Sequence, residues 1–461
     1  MLDKNQISSI FDKARKYSSS DQVELLLGGG KSSLTRFANN FIHQNVAEEN
    51  YNISIRVQFA GKTARATTNK HDDESLRRTV KAAEDLARVQ EDDPDVLPMA
   101  SPKERGADTL NPPSRYFAQT AAVGPMERAD VVGKMVDVAK KHGHVSAGVF
   151  AINESVEAII NSNGVFDYQT QTGAEASITM TAADSSGWQK ANFPDVSQLD
   201  AVCLAEIAAQ KATDATHPQE LPAGKYTVIL EPAAVLDIVG FMFWDFGGLA
   251  ILDQRSFLND RVGTKLFGDN ITIHDDAYHP LQSGPAFDGE GMRRQRTTLV
   301  DHGTVKNLVY SRSTASRILQ SEYASKLGEV RPTGHGFPLP NEMGEAPMNV
   351  VFAVDGDTKS VDQMIADTER GILVTRLWYI REVDPYEKIV TGMTRDGTFL
   401  IESGKVQHGV LNFRFNQGLI EMLSNVVAMS RPVRASGEES FDMVVPAMKV
   451  RDFNFTEVTK F

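Results

Sequence analysis

The segment His274-Asp275-Asp276-Ala277-Tyr278-His279 sets two imidazoles five residues apart, with a carboxylate beside the first. Those residue types hold and activate a divalent metal. The flanks argue for another use. Asn270-Ile271-Thr272-Ile273 is strand-like and Pro280 follows at once, so the segment should be extended and turning. Asp288 and Glu290 could work as a paired acid and base. Gly289 and Gly291 suggest instead a tight bend in which both carboxylates bind backbone amides. His142-Gly143-His144 would present two imidazoles on one face of a strand, but it reads as the end of a helix. Gly28-Gly29-Gly30-Lys31-Ser32 resembles a phosphate-binding loop; the signature needs a glycine where this chain has Leu25, and no amphipathic helix follows. A glycine-rich turn is expected there. No Gly-x-Ser-x-Gly elbow supports serine hydrolase chemistry. Cys203, the single cysteine, lies in a stretch that reads as a helix interior and should be a buried, inert thiol.

The elements that must carry these residues fall into two groups. Helices are expected over Gln6 to Tyr17, after Asp72 or Asp73 with the stripe Leu76, Val80, Ala83 and Leu86, over Arg128 to Lys141, and over Gln198 to Thr213. Strands are expected at Val23 to Leu27, Tyr51 to Phe59, Ser155 to Ile160 and Gly173 to Ala182, the last two joined through the turn Asn161-Ser162-Asn163-Gly164. Glu91 to Pro113 carries five prolines and should be a surface loop. Pro218 and Pro222 mark a boundary. Beyond it come the strand Tyr226 to Leu230 and an apolar helix from Ala233 to Phe246. Past Asp269 the pattern is mainly strands and turns, with one helix opened by a Ser360/Gln363 capping box and stopped by Gly371. The fold class is therefore α+β in two domains: residues 1–217, mixing strands and helices, and residues 218–461, richer in strands.

At 461 residues the chain exceeds one ordinary core, and its 41% hydrophobic and 24% charged content is that of a globular protein. No apolar run approaches the ~20 residues of a membrane span, so no membrane partner is expected. The start has none of a signal peptide's layout, and one cysteine suits a reducing, cytoplasmic setting. A net charge of −13 without a dense Lys/Arg cluster disfavours nucleic acid.

Three blocks resemble the TldD/PmbA family, whose members have also been labelled modulators of DNA gyrase. The first is Ser33-Leu34-Thr35-Arg36-Phe37-Ala38-Asn39-Asn40, with the strand pair and helix after it. The second is Phe287-Asp288-Gly289-Glu290-Gly291, then Gln295-Arg296 and a strand ending near Asp301-His302-Gly303. The third runs from Thr391 to Lys405. Thr333-Gly334-His335 looks like the PmbA-type branch. The resemblance implies a metallopeptidase fold in which a His-Glu-x-x-x-His helix and a later Cys hold zinc. This chain has no His-Glu pair. Those positions would fall near Gly240, Phe241 and Asp245, and the Cys near Ala435, beside Ser436.

No catalytic, cofactor or metal residue is therefore assigned to this chain, and zinc is expected in a partner. The implied role is a non-catalytic PmbA-type subunit of a cytoplasmic metallopeptidase acting on unfolded peptides, paired with a TldD-like catalytic subunit as a heterodimer. Any effect on gyrase would then be indirect. Two alternatives stand beside it: a metallopeptidase in its own right with a non-standard site that uses His274 and His279, or a homodimeric peptide-binding scaffold.

Overall fold

Alternating apolar residues in the first half build strands longer than the segments that announce them. A computed structural model describes residues 1–105 and 112–459. In it, β1 (Gln22–Ala38), β2 (Phe41–Phe59), β3 (Lys62–Thr68), β4 (Val145–Asn161), β5 (Phe166–Thr181) and β6 (Ser186–Phe193) form one antiparallel sheet. The order is β3-β2-β1-β4-β5-β6. Odd positions of β1 and even positions of β4 share one face. At one end Leu25, Leu27 and Val156 pack with the helices Lys4–Tyr17 and Asp73–Val89. At the other, Phe150 and Ile152 pack with Pro125–His142 and Ala201–Asp214. The opposite face carries Glu24, Leu26, Gly28 and Glu157 toward the second half of the chain. There Glu24 is fully buried and receives Arg56 at 3.1 Å and Arg65 at 2.7 Å.

Several expectations need correction. Gly28-Gly29-Gly30 forms no turn; it lies in mid-strand. A Cβ on Gly30 would stand 2.0 Å from the Glu154 carbonyl oxygen, and one on Gly29 2.3 Å from that of Asn50. Neighbouring backbones approach too closely for side chains, which explains the glycines without any phosphate. Cys203 is exposed, because its helix starts at Ala201 and buries the face of Ala205, Ala208, Ala209 and Ala212 instead. Leu86 points outward; Ala87 completes the stripe of the longer helix. Glu91 to Pro113 is not all surface: Met99 and Ala100 are buried, and its residues 106–111 lie outside the described ones.

In the second half Gly224–Leu230, Arg370–Asp384, Ile389–Glu402, Phe413–Gly418 and Met448–Val458 pair in a ring that closes on itself. Closure removes the unpaired edges that an open sheet exposes. A second, six-stranded sheet contains Thr272–Asp275 and Met443–Val445. The helix Pro232–Val239 packs against strands of both sheets. It ends earlier than the apolar run suggested: Gly240–Phe246 is a 3-10 segment. Aromatic residues favour the α-helix only weakly, and Gly240 weakens it further. The capping box Ser360/Gln363 opens Val361–Ala366 as expected, but the helix stops at Asp367 and Gly371 sits inside a strand. Among the described residues no helix is long and apolar enough to cross a membrane.

The neighbouring glycines make a direct comparison. Gly30→Ala should cost about 2 kcal/mol or more, since steric overlap adds to a φ of 150°. Gly28→Ala, with nothing within 4 Å of the new Cβ, should stay within about 1 kcal/mol of the parent. Urea unfolding of both variants checks this; equal losses would refute the reading.

Candidate functional site

Pro232 supplies the pre-set φ of a first helical residue, and Ala234 to Val239 are wholly buried behind it. At Gly240 the chain runs against Ser440. A Cβ built there would lie 1.9 Å from Ser440 Oγ and 2.5 Å from its Cβ. The 3-10 segment then turns Met242, Phe243 and Phe246 inward. Phe243 meets the rings of Phe246 at 6.1 Å and of Phe352 and Phe441 at 6.5 Å. Trp244 tilts onto Phe337 at 5.8 Å and stays 42% exposed. Asp245 is buried, accepts the Phe257 N–H at 3.1 Å and pairs with Lys388, which also holds Glu382. Burial raises its carboxyl while Lys388 draws it back.

These residues do not fit zinc, which needs three protein ligands and room for water. Gly240 and Phe241 offer no donor, and Asp245 is engaged by Lys388. Ala435 is a buried strand residue, and Ser436 Oγ accepts from Asn192 at 3.2 Å. The carboxylate that does lie at this corner is Asp237. Its Oδ1 accepts the N–H groups of Glu438 at 3.1 Å and Glu439 at 3.0 Å. Its Oδ2 is buried without a partner, and burial lifts the group to about 7.

The other candidates are dispersed. His274 Nδ1 lies 3.1 Å from Thr298 Oγ1, while His279 Nδ1 accepts the Leu281 N–H at 3.2 Å; burial lowers both imidazoles. Between them Asp275 turns into the core and meets His335 Nε2 at 2.9 Å, both side chains fully buried. The residues of the supposed metal motif thus have separate partners, one of them in Thr333-Gly334-His335. His142 ends its helix and lies 2.9 Å from Glu206, and His144 Nε2 lies 2.9 Å from Thr213 Oγ1. Asp288 and Glu290 form the expected bend: Asp288 accepts from Glu290, Met292 and Gly336, and Glu290 accepts the Arg312 N–H at 2.6 Å. Among the described residues no three of His, Cys, Asp or Glu gather to hold a metal ion.

Sequence reading missed Glu157 and Arg294. They lie 137 positions apart in the chain and meet only across a cavity between its halves. The one local signal was Gly28, whose neighbours need glycine for backbone contact while Gly28 does not.

The mixed α+β architecture, with its closed ring of strands in the second half, agrees with the metallopeptidase-family domains that the chain matches. The PmbA/TldA metallopeptidase C-terminal domain matches residues 223–457, and domain 1 of the same family matches residues 23–87. The chain belongs to the PmbA/TldD family. It is 22% identical over 416 residues to the metalloprotease PmbA of Escherichia coli O157:H7, covering 86% of this chain and 85% of that one. It is 25% identical over 319 residues to a metalloprotease of Methanothermobacter thermautotrophicus, covering 65% of each. TldE from Thermococcus kodakarensis shares the fold with a TM-score of 0.85 at 20% identity, over 98% of this chain and 99% of that one.

Two outcomes test the site. Phe243→Ala should cost about 3–5 kcal/mol, the price of a buried aromatic cavity, read by urea unfolding. For Asp237 the sign runs with acid. Burial raises it from 3.8 to about 7, so the folded chain keeps a proton that the unfolded chain releases. That stabilisation is present below pH ~4 and is lost as pH rises to ~7. Asp237→Asn has no such proton, so its stability relative to the parent should improve between pH 5 and pH 8. A difference that does not change with pH would refute the assignment.

Proposed function

We propose that this chain is the non-catalytic, PmbA-type subunit of a cytoplasmic metallopeptidase that degrades or matures unfolded peptides. Its partner is a TldD-type subunit carrying the His-Glu-x-x-x-His zinc helix. The observation that carries this reading is the residue set at the motif positions: Gly240 and Phe241 bring no metal donor, and the one carboxylate, Asp245, is engaged by Lys388. The ring of Phe243 with Phe246, Phe352 and Phe441 supports it, because the segment spends its side chains on packing. The subunit's work is then to complete a chamber over the partner's zinc, admitting extended chains by strand addition and excluding folded ones.

Co-expression with a His-Glu-x-x-x-His relative from the same genome tests the proposal. The pair should hydrolyse unstructured peptides and hold about one zinc, since a catalytic site needs one set of three ligands. This chain alone should do neither. A partner fully active alone on the same peptides would sink the proposal. Combined His274→Ala and His279→Ala should leave the pair's activity unchanged; its loss would favour a metal site in this chain.

A further inference from the structure

The outward face of the N-terminal sheet does not close fully against the second half of the chain. Between them lies a cavity of about 860 Å³, within the ~300–1,000 Å³ of small-molecule sites. Its floor includes Gly28 on β1 and Ser155 and Glu157 on β4; Arg294 and Phe337 stand across from them. Two opposite charges line this space without a hydrogen bond or close ion pair to a described residue, although Arg294 also lies within electrostatic reach of buried Asp275 and Asp288. The Glu157 carboxylate makes no hydrogen bond or close ion pair with any described residue, and burial raises it. Arg294 Nε and Nη1 are buried and have no acceptor. Arg294 is the charge that opposes burial at Glu157, so the groups sense each other, yet they are not in contact.

Leaving either charge buried and unpaired is costly. A simple anion on Arg294 would be repelled by Glu157, and a simple cation on Glu157 by Arg294. A zwitterion satisfies both at once. Gly28 gives independent support. Gly29 and Gly30 are required by backbone contact, but a Cβ on Gly28 meets nothing within 4 Å and would stand in the cavity. Packing alone does not call for glycine there; access to the floor does.

We propose that this cavity binds a short peptide with free termini, its carboxylate on Arg294 and its ammonium on Glu157. The charge pairing stands by itself. The choice of a peptide over another zwitterion rests on the proposed function, and Phe441, which lines both this cavity and the cleft beside Trp244, makes the two sites neighbours.

Calorimetric titration of the isolated chain tests this with trialanine, its N-acetyl form and its C-terminal amide. Trialanine should bind saturably, and each blocked form at least ~tenfold more weakly, as expected for loss of one charged hydrogen bond. Glu157→Gln should weaken trialanine at least ~tenfold and leave the acetylated form unaffected; Arg294→Gln should do the same with respect to the amide. Gly28→Val, with unchanged circular dichroism and melting temperature, should abolish binding of all three. Equal binding of free and blocked peptides, no saturable binding at millimolar concentration, or full binding by Gly28→Val would overturn the assignment. Peptidase activity of the pair is read separately. An active pair whose Gly28→Val subunit binds and works like the parent defeats the cavity alone, whereas a partner active by itself defeats only the subunit role.

Discussion

Two carboxyl groups buried side by side hold the halves of this molecule in register. Asp288 takes three backbone N–H groups, from Glu290 at 3.0 Å and from Met292 and Gly336 at 2.8 Å. Glu290 takes the Arg312 N–H, and the Arg312 guanidinium reaches the Pro98 carbonyl at 2.8 Å and Glu104 at 3.0 Å in the first half. Gly336 has no room for a side chain, since a Cβ would lie 2.4 Å from Glu290 Oε2. Burial and the neighbouring Asp288 raise Glu290 above the usual carboxylate range. A pair so placed costs desolvation, but it fixes a bend that no apolar pair could fix. That bend aims Phe287 and Met292 at Ala100, Ile159 and Val165 of the other half.

The same geometry explains why a cavity exists beside a well-packed junction. The bend pins one end of the N-terminal sheet's outer face, and Glu24 with Arg56 and Arg65 pins another part of it, Arg65 Nε donating to the Leu339 carbonyl at 2.6 Å. Between these anchors the sheet presents Gly28, whose missing side chain leaves space. Glu157 and Arg294 border that space without reaching each other. Stability at the anchors and openness between them are two results of one arrangement.

The segment Pro232 to Phe246 gives most of its side chains to packing. A metal helix needs donors pointing into a cleft with room for water. Here the chain turns from α to 3-10 at Gly240, and aromatic rings fill the inner face. Asp245 offers a carboxylate, but Lys388 engages it.

Much was legible in the sequence because it depends on neighbours in the chain. Alternation marked the strands, Asp72 and Ser360 marked helix starts, and the glycines around Asp288 and Glu290 marked a carboxylate-bound bend. The absence of a His-Glu pair was also a property of sequence alone. What required three dimensions were relations between distant residues. Gly28-Gly29-Gly30 read as a turn because glycine signals both loops and close backbone approach, and only the flanking strands β2 and β4 tell them apart. Cys203 read as buried because an apolar run does not say which helix face meets the sheet. The segment around Asp275 read correctly as extended and turning, but its buried partner, His335, sixty residues on, had no signal in the chain. Short-range order follows from backbone geometry and side-chain pattern; which charges meet, and which are left facing a cavity, was decided only when the sheets packed.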